Sequence, residues 1–179
     1  WESYVESIHP YFLSTYHFWH YHQDKALRGV DDLEPFVDEI VILSTVLLKV
    51  RAKNGNWHVV RGLLDSGCQK TLMTRSLADE LGIEVSGNAV NISIAGGNSE
   101  VTLGEVKIEI SSRYQDLPDE LRKPIKCLVM ENVSIDQPAY QIDMRNFGDL
   151  PRCFLADPGS FLPQKIDMIL DSDITRRSR

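Results

Sequence analysis

Cysteine is scarce in this chain of 179 residues: Cys68, Cys127 and Cys153 are its only three. Their odd number and wide spacing argue against a disulfide framework and suit a reducing compartment, so a cytoplasmic location is expected. Long apolar runs are also missing. The longest, Ile40 to Leu48, is broken by Ser44 and Thr45; it falls far short of the ~20 residues of a membrane span and reads as a strand, so no membrane partner is expected. Positive charge is in deficit, with 19 Lys and Arg against 26 Asp and Glu and a formal net charge of −7. That balance argues against direct binding of nucleic acid or of an anionic membrane. Nothing resembles a signal peptide. The chain starts at Trp1 without a Met and is read as a piece of something longer, so the missing signal excludes little. There is no internal repeat and no low-complexity tract. What is present, 42% apolar and 25% charged residues, is the composition of a globular domain, alone or with an appendage, long enough for a real core.

The first stretch, Trp1 to about Gln23, holds more than half of the aromatics and four of the five His. Tyr4, Ile8, Tyr11 or Phe12, Tyr16 and Trp19 recur at three-to-four spacing, which allows a helix with one apolar face. His17, His20 and His22 invite a metal reading. No Cys lies near them and no partner pair stands at finger spacing, so no metal is assigned. The stretch is read either as an aromatic docking segment or as upstream sequence without fixed structure. Ala26 to Glu39 is acidic, contains Pro35 and reads as a linker. Residues 1–39 are thus an N-terminal segment and linker, residues 40–175 the folded domain, and residues 176–179, with Arg176, Arg177 and Arg179, a short basic tail.

From Ile40 the pattern turns to β. Val41 through Val50 is a strand, Asn54-Gly55 a hairpin turn signal, and Trp57 to Leu64 the returning strand. Thr74 is placed to cap a short helix with Leu77, Ala78 and Leu81 on one face, stopped by Gly82. Val90, Ile92 and Ile94 alternate with polar residues, as do Val106, Ile108 and Ile110, so two half-buried strands flank a hairpin tip at Ala95-Gly96-Gly97-Asn98-Ser99. Ser111 to Lys123 reads as a polar loop, and Ile125–Met130 and Ile166–Leu170 as further strands.

Leu63-Leu64-Asp65-Ser66-Gly67 carries the chemistry. Two apolar strand residues anchor the chain in a core and leave Asp65 at the lip of a cleft. Ser66 supplies a hydroxyl to lock the loop. Gly67 brings backbone N–H groups close to the carboxylate, where a side chain would clash. By itself Asp-Ser-Gly is also an ordinary turn.

The flanking order raises it above a turn. Arg61-Gly62-Leu63-Leu64-Asp65-Ser66-Gly67-Cys68-Gln69, then Leu77-Ala78-x-x-Leu81-Gly82, Ile94-Ala95-Gly96-Gly97, Leu155-Ala156-Asp157-Pro158 and Pro163-x-x-Ile166-Asp167-Met168-Ile169-Leu170 resemble the retropepsin-like aspartic peptidases. The likeness is greatest to the peptidase domain of BEL/Pao-type retrotransposon polyproteins and spans about Val41 to Ile174. It implies a mainly β fold, a retropepsin-like acid-protease barrel with a flap hairpin and one or two short helices. Asp65 would be the catalytic carboxylate, supported by Ser66 and Gly67, and Ile94, Ala95, Gly96, Gly97 and Asn98 would form the flap over a peptide of the parent polyprotein. No cofactor is implied. The location implied is cytoplasmic, free or within virus-like particles. Such hydrolysis uses two carboxylates, one taking a proton from water while the other donates to the carbonyl oxygen. At about 3 Å apart the two cannot both ionise easily and share one proton. One chain supplies one Asp-Ser-Gly, so the second Asp65 is expected from another copy across a two-fold axis, making a homodimer.

Two residues depart from the pattern. Asp171 stands where the resemblance implies a Gly packed against the catalytic loop, and is expected to add bulk and a buried charge there. Asp171-Ser172-Asp173 lacks the Gly of a second catalytic triplet and has no third ligand for a metal. Cys68 replaces a small residue or Ser and is read as plain packing. Asp157-Pro158 is read as a turn. The alternative to a peptidase is a catalytically silent retropepsin fold that serves as a dimerisation or peptide-binding module.

Overall fold

The computed structural model describes residues 43–93, 98–113, 124–143 and 155–177; the expected aromatic helix, the histidine group and the acidic linker lie outside them. The first hairpin forms as its sequence predicts. Strands β1 (Thr45–Arg51) and β2 (Trp57–Leu64) pair antiparallel from Thr45 opposite Leu63 to Arg51 opposite Trp57. Gly55 takes the left-handed conformation at the turn, with φ +88°, and the Asn54 side chain accepts from the Asn56 N–H at 2.9 Å. Val46, Leu48 and Val50 alternate into the core, the period-2 burial of a strand with one covered face.

A short strand, β3 (Thr71–Thr74), follows the Asp65 loop, with all four residues buried. At four residues its pattern is too short to separate from the loop by reading alone. Helix α1 (Arg75–Glu80) starts at the expected cap, where Thr74 Oγ1 accepts from the Leu77 N–H at 3.3 Å. It buries Leu77 and Ala78, and the chain turns away past the buried Leu81 at Gly82, φ +66°.

Beyond α1 the pairing differs from expectation. Strand β4 (Asn91–Ser93) pairs with β5 (Ser99–Val101) in a separate two-stranded sheet, and the Val106–Ile110 segment belongs to a barrel strand, β6 (Gly104–Ser112). Burial explains the division. Val106, Ile108 and Ile110 are buried, whereas Val90 and Val101 stand exposed; the hairpin has too little apolar surface to join the core. With β7 (Pro124–Met130) and β8 (Met168–Leu170) the barrel closes in the order β1-β2-β8-β3-β7-β6. Two of its pairings, β2 with β8 and β3 with β7, are parallel. Helix α2 (Ser172–Arg177) ends the described chain and takes in the first two residues of the expected basic tail. The result is a mainly β protein built on a closed six-stranded barrel, with two short helices among the described residues.

Candidate active site

Asp65 sits immediately past the end of β2, where Leu64 packs against the barrel core. Strand β8 lies beside it in parallel, with Leu64 opposite Leu170. The Asp65 N–H donates to the Leu170 carbonyl at 3.1 Å, so the barrel fixes the residue's backbone. Its side chain is half-buried.

The loop then turns back on that carboxylate. The Gly67 N–H donates to Asp65 Oδ1 at 2.8 Å, and the Cys68 N–H to the Asp65 carbonyl at 3.2 Å. A Cβ at Gly67 would lie 3.2 Å from Asp65 Oδ1, tighter than ordinary van der Waals contact. Close approach, as read from the sequence, is thus what asks for glycine here. Ser66 is exposed on the turn. Among the described residues the loop is closed by Gly67, Cys68 and the segment after β8: the Ser172 N–H donates to the Cys68 carbonyl at 2.9 Å.

Asp171 corrects an expectation. It follows Leu170 just as Asp65 follows Leu64, but it neither crowds the loop nor sits as a bare buried charge. Its carboxylate is half-buried and takes three donors. Oδ1 accepts the N–H groups of Asp173 and Ile174, each at 3.0 Å, which makes Asp171 the N-cap of α2. Oδ2 accepts the Thr71 hydroxyl at 3.0 Å, and the Asp171 N–H points back to Thr71 Oγ1 at 3.4 Å. The Asp171-x-Asp173 spacing therefore serves a helix cap.

Cys68 lies between these carboxylates. Burial pushes its thiol above the ordinary range, backbone hydrogen bonding at Lys70 opposes this, and the charges of Asp65 and Asp171 push it further; the thiol also donates to the Lys70 carbonyl at 3.0 Å. Cys127 on β7 is fully buried, and burial, with a smaller contribution from Asp171, holds its thiol protonated well beyond the usual range. Both thiols are free.

Of the expected flap, only Asn98 is among the described residues. It is exposed and leads directly into β5; Ile94, Ala95, Gly96 and Gly97 lie outside the described residues. The two strands β4 and β5 are tied to each other at their base by Thr102, which is buried. Its N–H donates to the Val90 carbonyl at 2.9 Å and its hydroxyl accepts from the Val90 N–H at 3.0 Å.

Reading the sequence alone missed the network behind β2. Arg61, four residues before Asp65, is buried with its side chain 4% exposed, and donates from Nε to Asp157 Oδ2 at 2.6 Å. The Asp157 side chain is 1% exposed. Arg61 also reaches the carbonyls of Gln137 and Gln164, at 2.6 and 2.9 Å. Asp157 further accepts the Thr45 hydroxyl and the Gly159 N–H, both at 2.8 Å. Asp157-Pro158 does form a turn, closed by the Ser160 N–H on the Asp157 carbonyl. It also ties this turn to β1 through Thr45 and to β2 through Arg61. The available signal was a charge inside the apolar run Val59-Val60-Arg61-Gly62-Leu63, since a buried arginine requires a partner.

A family model described as aspartyl protease matches residues 48–139, just over half of the chain and the part that contains Asp65. No curated protein is a significant match. Among solved structures, the retroviral protease-like domain of Ddi1 from Leishmania major is 13% identical, over 77% of this chain and 78% of that one, with a TM-score of 0.39. EIAV protease complexed with the inhibitor HBY-793 is 15% identical over 80% and 92%, with a TM-score of 0.40. A retropepsin-like aspartic protease from Rickettsia conorii is 14% identical over 51% and 73%, with a TM-score of 0.33.

Proposed function

The chain belongs to the aspartyl protease family, and from that membership we propose that it is a homodimeric aspartic endopeptidase that cleaves the polyprotein it was made in, with a retrotransposon of the BEL/Pao type as its source. The observation that carries this reading is the Asp65 loop. A half-buried carboxylate is fixed by its own backbone bond to Leu170 and oriented by the Gly67 N–H, within the stretch matched to the family. In the reading, the Asp65 groups of two copies face one another across a two-fold axis and share a proton. The ionised carboxylate takes a proton from a water molecule as that water attacks the peptide carbonyl carbon, and the protonated carboxyl donates to the carbonyl oxygen. The gem-diol collapses as a proton passes to the leaving amine. Residues Ile94 to Asn98 close over the peptide.

Need for a second chain follows from the count of triplets. The sequence holds one Asp-Ser-Gly, and Asp171, already committed to capping α2 and to Thr71, is not free to be its partner. The test is a peptidase assay between pH 4 and 7 on wild type and Asp65→Asn. The amide can neither accept nor relay the proton, so turnover falls by about 10²–10⁴-fold or more with the fold intact. Specific activity declines on dilution in step with loss of dimer by sedimentation, and excess Asp65→Asn chains poison the wild type. Full activity in a folded Asp65→Asn protein, or in a demonstrated monomer, refutes the proposal.

A further inference from the structure

The segment after Asp65 is held at three successive points by three successive residues at the end of the barrel's last strand. Asp65 N–H meets the Leu170 carbonyl at 3.1 Å, the Cys68 carbonyl meets Ser172 N–H at 2.9 Å, and Thr71 Oγ1 meets Asp171 Oδ2 at 3.0 Å. The first two are backbone bonds, open to any residue type. The third depends on side chains, and Asp171 supplies more than one half of it. Its Oδ1 gathers the N–H groups of Asp173 and Ile174, so the same carboxylate that holds Thr71 also starts α2. Thr71 is 2% exposed and is the residue at which the loop re-enters the barrel as β3.

We propose that Asp171 is a positioning residue for Asp65: its carboxylate clasps the loop that carries the catalytic group to the start of α2, and so sets where that group stands. The proposal rests on the peptidase reading for its consequence on turnover, but the clasp itself is independent of it. A glycine at position 171 would keep the backbone bonds, the long N–H contact to Thr71 Oγ1 included, and release the helix cap and the carboxylate's hold on Thr71. This chain has the tie where the sequence resemblance implies none, so it fixes by a side chain what close packing would otherwise fix. A carboxylate with one oxygen on the helix and the other on the loop transmits any shift of α2 directly to the loop. The nearby ionisable groups are Asp65 and Cys68 on the loop, Cys127 behind it on β7 and Asp173 on α2; the clasp does not require any of them to change charge.

Three variants separate this role from general stability. Thr71→Val removes the hydroxyl, nearly keeps the volume and leaves the α2 cap in place. Asp171→Asn keeps an acceptor for the cap and a group that can hydrogen-bond Thr71. Asp171→Gly loses both. Two readouts are needed: amide hydrogen exchange of the peptide covering residues 65–70 compared with β1 and β6, and steady-state kinetics on a peptide substrate. Expected for Thr71→Val and Asp171→Gly is several-fold faster exchange confined to the 65–70 peptide. In the kinetics, kcat falls by about tenfold or more while KM stays within about twofold, because a displaced catalytic group costs turnover before it costs binding. Asp171→Asn stays close to wild type in both. Unchanged loop exchange and turnover in Thr71→Val, or an Asp171→Asn protein as damaged as Asp171→Gly, overturns the proposal. If Asp171→Gly fails to fold, the other two variants still decide it. An inactive wild type whose loop exchange nevertheless responds as described sinks the peptidase reading and leaves the clasp standing.

Discussion

Removing the Asp157 carboxylate should be among the most damaging single changes away from the Asp65 loop. The side chains of Arg61 and Asp157 are 4% and 1% exposed and meet at 2.6 Å. In Asp157→Ala the guanidinium stays where it is and loses its counter-charge, while the Thr45 hydroxyl and the Gly159 N–H lose their acceptor. Breaking a buried pair from one side costs about 3–5 kcal/mol. Arg61 keeps its bonds to the Gln137 and Gln164 carbonyls, which holds the figure to the lower part of that range, about 3–4 kcal/mol. For a chain of this size each kcal/mol moves Tm by about 2–4 °C, so the midpoint should fall by about 6–16 °C. Urea unfolding followed by tryptophan fluorescence measures it, with the slope m unchanged if only stability is altered. Arg61→Met should cost a comparable amount. The double variant should cost clearly less than the two singles together, with a coupling of at least about 2 kcal/mol, because no unpaired charge is left buried. Strictly additive singles, or an Asp157→Ala protein within about 1 kcal/mol of wild type, would show that the pair does not hold the Asp157 turn to the barrel.

Gly104 opens β6 at φ +141°, and a Cβ there would come within 2.7 Å of the Ser86 carbonyl oxygen and 2.8 Å of the Val85 side chain. Gly104→Ala should therefore lower stability by about 1–3 kcal/mol through backbone strain alone, and a variant as stable as the parent in the same urea titration would contradict that geometry. The thiols supply a second check. Raised thiol pKa values mean less thiolate at a given pH, so in native protein at pH 8 iodoacetamide should label Cys68 more slowly than in urea and Cys127 hardly at all. Asp65→Asn, by removing one of the charges that oppose ionisation of Cys68, should speed its labelling; a native Cys68 that reacts at the unfolded rate would mean the loop is not packed as described.

Elements with local causes were legible in the sequence. Asn54-Gly55 specified a left-handed turn, Thr74 and Gly82 bracketed a helix, and the alternation of Val106, Ile108 and Ile110 marked a covered strand face; each was found in place. The Asp65 loop was legible because close approach of Gly67 to a carboxylate is a demand on residue type. What stayed hidden depends on partners distant in the chain. Asp157 read as a turn because its partner lies 96 residues away. Asp171 read as an intruder because its worth comes from Thr71, 100 residues earlier, and from a helix too short to announce itself. The division of β5 from β6 turned on which strand the barrel could bury, and that is settled by the sum of all six strands rather than by either one.

The order in which the chain is made gives β8 a further significance. It is the last strand among the described residues, it lies between β2 and β3, and it begins more than a hundred residues after β2 does. A chain growing from its N-terminus can form the β1–β2 hairpin early, because those contacts are local, but the barrel stays open until Met168–Leu170 emerges and inserts. Until then the Asp65 N–H has no Leu170 to meet and the Cys68 carbonyl no Ser172. The loop that holds Asp65 thus takes its final shape last. A chain cut short before Met168 should therefore lack the fixed Asp65 loop.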